Sequence, residues 1–266
     1  MLSDYHFHTS FSGDSDTPIR DQLEQGILLG MKSVCVTDHH DYDMSSDLDF
    51  TLDLDQYFQT MNAIKEEYKS RIDLRIGIEL GLQPHLKTYF ETLIKTYPFD
   101  FILGSTHSIH KIDVVSSDFF EGRSEEEAYL EYFKATLDNV KKLNTYDVAG
   151  HIDYIVRYGP TKTACYHYDA FRETLDAILM AIIRHGKGIE CNTAGYRKGI
   201  HQPNPSKEIL VRYRELGGEI ITIGSDAHTP RDLGSDFLRA KDLLLECGFS
   251  YYAEFRNRKP EFKPLI

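Results

Sequence analysis

The sequence predicts an α/β fold, a parallel β/α barrel of about seven strands, on three observations. Short β-branched or apolar runs alternate with longer segments of helical periodicity, the pattern of successive βα units. Histidines and carboxylates fall at or just past the C-terminal ends of those runs, the rim on which β/α barrels build their sites. The length, 266 residues, lies in the range such barrels occupy as one domain.

The strands are expected at residues 5–8, 33–37, 74–79, 101–105, 148–151, 188–192 and 219–225. Between them the helices carry readable ends. Thr17-Pro18 opens one that closes at Gly30, and Ser124 with Glu127 forms a capping box ahead of Leu130, Phe133 and Leu137. Later helices span 169–185, with Phe171, Leu175, Ile178 and Ile182 on one face, then 205–216 and 235–247. No Gly/Ser-rich or Pro-rich linker divides the chain, so residues 1–266 are read as one domain.

Composition removes several classes of function. Hydrophobic residues make up 41% and charged residues 27%, as in folded globular proteins. A net charge of −12 argues against nonspecific binding to nucleic acid or acidic membranes. The longest strongly apolar run, 177–183, is too short to span a bilayer, and MLSDYHFHTS lacks the blocks of a secretory signal. Cys35, Cys165, Cys191 and Cys247 are scattered, with no CxxC pair, which fits a reducing cytoplasm. Nothing in the sequence speaks to oligomeric state.

His6 and His8, Asp38 with His39 and His40, Glu79, His107, His151, Asn192, and Asp226 with His228 all sit at expected strand ends. Residues two apart on a strand face the same way, so His6/His8 and Asp226/His228 each direct two side chains at one centre. Imidazole mixed with carboxylate suits Zn, Mn or Fe, whereas Ca or Mg favours oxygen almost alone. A lone strand histidine is more often an ordinary core or surface residue, but this many at one rim reverses that expectation. His85, His110, His167, His185 and His201 keep the ordinary reading, with His201 a minor candidate for substrate contact, and Cys191 is read as packing.

The segments HFHTSFSGDS, VTDHHDY, GIELG, GSTHSIH, AGHIDYI, IECNT and GSDAH, spread in order over residues 6–228, resemble the PHP family, named for polymerase and histidinol phosphatase domains. The chain looks most like the monofunctional histidinol-phosphate phosphatase branch. The resemblance implies a distorted (β/α)7 TIM-like barrel and three divalent transition metals. His6, His8, Glu79 and Asp226 would hold the first; Glu79 would bridge to a second completed by His107 and His151; Asp14, His39 and His228 would hold the third. Asp14 departs from the histidine that several family members carry, a harder ligand that bears on which metal occupies the third position.

The same resemblance implies that Arg157 and Arg197 grip phosphate oxygens, with the surface salt bridge as the alternative for each. His40 would contact phosphate or support the ligands, and Asn192 would donate to phosphate. Asp226 or His228 would protonate the leaving group only if ligation left a proton available. Asp38 is expected to orient an imidazole, and Glu190 to be a paired internal carboxylate. The implied reaction is hydrolysis of a small phosphomonoester, L-histidinol phosphate, by hydroxide generated on metal. Other phosphomonoesters, a nucleotide or a phosphotyrosine protein among them, are alternatives of the same class. A C–N hydrolase would leave the arginines without a task. A noncatalytic module like the PHP domain of some polymerases would have little reason to keep an open metal position.

Overall fold

The computed structural model describes residues 2–266, the side chain of Cys165 excepted. The parallel sheet is built from β1 (Ser33–Val36), β2 (His39–His40), β3 (Asp73–Gly81), β4 (Phe101–Ser105), β7 (Val148–Ala149), β8 (Gly188–Asn192) and β9 (Ile221–Gly224). Its order is β1-β3-β4-β7-β8-β9, with β2 extending the β1 position beside β3. A small hairpin, β5 (Ser108–Ile109) with β6 (Ile112–Asp113), stands outside it.

The expected first strand, residues 5–8, is an extended segment joined by single bridges, Asp4 to Val34 and Phe7 to Ala227. It nevertheless closes the ring. Cys35 N and Thr37 N donate to the carbonyls of Asp4 and Phe7 on one side. On the other, Tyr5 N donates to Ile223 O, Asp226 N to His6 O, and His8 N to Ala227 O, at 2.7–3.0 Å. Seven parallel positions therefore run round the barrel, as expected, although β7 holds only two of the four residues expected for it.

Helices cover the outside: α1 (Ile19–Leu28), α2 (Leu54–Tyr68), α3 (Lys87–Thr96), α4 (Glu125–Lys142), α5 (Tyr168–Arg184), the single turn α6 (Ala194–Arg197), α7 (Lys207–Glu215) and α8 (Phe237–Glu246). Pro18 precedes α1, and the capping box of Ser124 and Glu127 starts α4. The stripe Phe171, Leu175, Ile178 and Ile182 is the buried face of α5. Among the described residues no helix is long and apolar enough to cross a membrane.

One element had no counterpart in the sequence reading. β10 (Tyr251–Arg256) and β11 (Lys259–Pro264) form an antiparallel hairpin that stoppers the bottom of the barrel. Its turn residues Asn257 and Arg258 both have positive φ, the geometry of a two-residue hairpin turn. Phe255 and Ala253 enter a buried cluster with Tyr5, Cys35, Phe101, Leu103 and Val148, and Tyr5 Oη donates to the Phe255 carbonyl at 3.0 Å. Glu254 accepts from Ser3 Oγ and Ser33 Oγ at 2.6 and 3.0 Å. Phe255→Ala should cost about 3–5 kcal/mol of stability, the usual range for a buried phenylalanine. Denaturant unfolding checks this, and a loss below about 1 kcal/mol would show that the stopper contributes little.

Candidate metal centre

Strand register brings the rim groups together. His39 on β2 stands opposite Glu79 on β3, which stands opposite Leu103 on β4, so the Glu79 carboxylate, fully buried, reaches the middle of the barrel mouth. Its Oε2 lies 3.0 Å from His6 Nε2, 3.6 Å from His8 Nε2 and 3.1 Å from His39 Nδ1. Its Oε1 lies 3.0 Å from His151 Nε2 and 3.3 Å from His107 Nε2, and accepts from Ser105 Oγ at 2.6 Å. Burial alone would raise this carboxyl; the imidazoles of His6, His107 and His39 outweigh it and hold it well below the usual range.

Asp226 completes the group. Its Oδ1 lies 3.8 Å from His6 Nε2 and 3.5 Å from His8 Nε2. The residue has φ of 55°, a left-handed backbone uncommon outside glycine and typical of functional sites; its N–H is held by the His6 carbonyl. At the outer lip, Asp14 Oδ2 lies 3.0 Å from His228 Nε2 and 3.8 Å from His39 Nε2. His8 stacks between His39 and His228, with ring centroids 4.2 Å from each. Burial, reinforced by His228 and His39, pushes the His8 imidazole down to about 3 and keeps it neutral.

These groups fit metal ions. Four triplets have ligand atoms within 4.8 Å of one another: His6/His8/Asp226, His6/Glu79/His151, His39/Glu79/His107 and His8/His39/His228. The buried Nε2 of His107 has no close hydrogen-bond partner among the described residues and lies 3.3 Å from Glu79 Oε1, so ring nitrogen and carboxylate oxygen converge on one place. Nitrogen with carboxylate oxygen, and no thiolate, is a donor set for Zn, Mn or Fe.

Around these groups lies a layer that fixes their ring orientation. Glu190 Oε1 is 2.6 Å from His6 Nδ1, and its Oε2 accepts from His151 N and Asn192 Nδ2. The expected internal carboxylate thus holds the Nδ1–H tautomer of His6, leaving Nε2 for the centre. This pair explains a glycine in GSDAH, because a Cβ at Gly224 would lie 2.3 Å from Glu190 Oε1 and 2.4 Å from His6 Cβ. Asp38 works one step removed, accepting from Thr9 and from Ser12 Oγ at 2.9 Å; Ser12 Oγ in turn lies 3.1 Å from His8 Nδ1. Asp41, absent from the sequence reading, lies 2.8 Å from His107 Nδ1. Its signal was its place two residues past His39, on the same side. Glu190→Gln should weaken metal binding about 10- to 100-fold while the fold persists, as measured by competition with a graded chelator; unchanged affinity would remove this role.

The substrate-side residues are placed less uniformly. Arg157 is buried at the rim, where Nε donates to Asn204 Oδ1 at 2.7 Å, Nη1 to Asp226 Oδ2 at 2.8 Å and Nη2 to Asn192 Oδ1 at 2.8 Å. Asn204 is a second group that the sequence reading missed. Arg157 and Lys198 line a cavity of about 260 Å³ above the cluster, together with Tyr154, Tyr158 and the outer ligands. Arg197 is not in that lining: Nη2 donates to Ser225 O at 2.7 Å and Nε lies 3.5 Å from Asp232 Oδ1. His40 is turned away from the cluster. Its Nδ1 accepts from Leu52 N and its Nε2 lies 2.7 Å from Tyr89 Oη, within a stack with Tyr42 and Tyr89. His85 pairs with Asp43 on the surface, and Cys191 is buried packing.

A parallel barrel whose mouth gathers six imidazoles around shared carboxylates, beneath an open cavity, defines a metal-dependent hydrolase. Residues 4–194 match the PHP domain family, and the chain belongs to that family, in its histidinol-phosphatase branch. It is 34% identical to the histidinol-phosphatase of Lactococcus lactis over 96% of this chain and 95% of that protein. It is 30% identical to a probable histidinol-phosphatase of Clostridium acetobutylicum over 98% and 96%. The crystal structure of the Lactococcus lactis histidinol phosphate phosphatase, in complex with Zn, L-histidinol and phosphate, superposes with a TM-score of 0.90 over 98% of each chain at 33% identity.

Proposed function

We propose that this protein hydrolyses L-histidinol phosphate to L-histidinol and inorganic phosphate, a step of histidine biosynthesis. The observation that carries the reading is the full-length likeness to the Lactococcus lactis enzyme, on a chain whose own rim has the donor set and cavity the reaction needs. The cavity, about 260 Å³, has room for a small phosphomonoester. We read the centre as three divalent transition metals: His6, His8, Glu79 and Asp226 for the first, Glu79, His107 and His151 for the second, and Asp14, His39 and His228 for the third. His39 stands between two of the ligand triplets, which supports closely spaced ions. When bound, such ions lower the pKa of water toward about 7 and polarise phosphoryl oxygens.

The chain's own residues do the positioning. Glu190 and Asp41 hold the Nδ1–H groups of His6 and His107, so each ring presents Nε2 inward. Arg157 fixes Asp226 and Asn192 in one plane and adds positive charge to the wall against which a phosphate would rest. Asp226 and His228 remain the candidates for carrying a proton to the leaving oxygen, since both line the cavity. Residues 1–266 are read as one functional unit, and three free, buried cysteines, Cys35, Cys191 and Cys247, support a reducing, cytoplasmic setting.

The test is phosphate release by metal-reconstituted protein from L-histidinol phosphate, beside nucleoside monophosphates and a phosphotyrosine peptide. Preferred, chelator-sensitive turnover of histidinol phosphate is expected. Preference for another ester would keep the phosphatase and replace its substrate. No turnover of any ester by fully metallated protein would overturn the reading in favour of the C–N hydrolase or the noncatalytic module.

A further inference from the structure

Building on the phosphatase reading, we infer that Lys198 is a phosphate-binding residue of this site. Two basic side chains, Arg157 and Lys198, line the cavity above the ligand cluster. Arg157 is fixed by three side-chain acceptors, and the carboxylate it pairs with, Asp226, already offsets its charge. Arg197, the neighbour of Lys198 in sequence, lies outside that lining: Nη2 is on the Ser225 carbonyl, Nε is 3.5 Å from Asp232, and Nη1 is buried without a partner among the described residues. Among the described residues no hydrogen bond or ion pair engages the Lys198 ammonium, which stands exposed at the lip of the cavity.

Its backbone, by contrast, is clamped. Lys198 N donates to Ala194 O at 2.9 Å, closing the turn of α6. Lys162 Nζ donates to Lys198 O at 2.8 Å. The next residue, Gly199, has φ of +83°, and a Cβ there would lie 2.7 Å from Lys162 Nζ, so the clamp needs glycine at this position. A fixed Cα carrying a free ammonium on a flexible stem can follow a phosphate dianion as it enters, shifts and leaves. The rigid arginine supplies the plane of the site, and the lysine supplies the charge that moves with the ligand.

The experiment compares the parent with Lys198→Met and Lys198→Arg, each reconstituted with metal and matched in metal content. It measures KM and kcat for L-histidinol phosphate and the constant for competitive inhibition by inorganic phosphate. Lys198→Met should raise KM and the phosphate inhibition constant together, by about 10- to 100-fold, the worth of one charge-assisted hydrogen bond, with a smaller change in kcat. Lys198→Arg should recover most of both. Equal phosphate inhibition in parent and Lys198→Met overturns the inference, whether or not kcat falls. If the parent itself does not turn over histidinol phosphate, the phosphatase reading is what fails; calorimetric binding of inorganic phosphate to the same metallated proteins then decides on Lys198 by the same criterion.

Discussion

The Glu79→Gln protein is expected to fold, to retain little of its metal and to lose on the order of 1,000-fold or more in kcat/KM. Supporting partners of a metal site are worth about 10- to 100-fold each, and Glu79 is no mere support: its two oxygens face the ring nitrogens of His6, His8, His39, His107 and His151. Gln keeps the shape and one acceptor but removes the charge and places a donor amide among groups that offer lone pairs to a cation. Metal analysis after dialysis, alongside turnover, checks the result. Full metal content in the variant would show that the cluster is not organised around this carboxylate.

Arg157→Met should damage both stability and rate. Breaking a buried ion pair costs about 3–5 kcal/mol, because the surviving charge is left without its partner. Here that charge is Asp226, whose carboxyl burial would raise and which His6 and Arg157 hold well below the usual range. Freed from Arg157, Asp226 and Asn192 lose their shared plane, and a displacement of about 1 Å at a reacting centre costs on the order of 100-fold in rate. Lysine in the same place cannot reach Asn204, Asp226 and Asn192 together, so Arg157→Lys should rescue little. Unfolding curves and kcat/KM, taken on the same preparations, separate the two effects. A stable variant with ordinary kinetics would show that the Arg157–Asp226 pair matters to neither folding nor catalysis.

The barrel and the gathering of histidines and carboxylates at its rim were legible because both rest on rules local in sequence. Alternation puts His6 with His8 on one side, and strand ends mark the rim; Asp226 and His228 converge by another route, past the end of β9 and through the left-handed backbone of Asp226. The same rule carried further would have found Asp41, two residues beyond His39. Asn204 was beyond reach, since its bond to Arg157 spans a loop with no periodicity. His40 shows the rule working in the other direction, because adjacency to an inward histidine turns it outward, onto Tyr89. The YRK segment shows its limit: in a single helical turn, which of two neighbouring cations faces a cavity depends on the axis of α6, which composition does not encode. The terminal hairpin escaped for a related reason. Asn257-Arg258 turns without the glycine that usually signals such a turn, and β11, with Pro260, Pro264 and charged residues, reads as coil.

Ring closure by residues 4–8 also sets a schedule for assembly. His6 and His8 lie far upstream of residues 223–227, which make one wall beside them, and the Asp4 carboxylate receives Ser225 N across 221 positions of sequence. Pairings of such separation form late and slowly, since the entropy of closing so long a loop precedes any reward. Until that wall has docked, His6 and His8 lack Asp226 and His228 beside them. Two of the four donor triplets, His6/His8/Asp226 and His8/His39/His228, are completed only when the last parallel strand docks, while the two that share Glu79 draw on residues 6–151 alone.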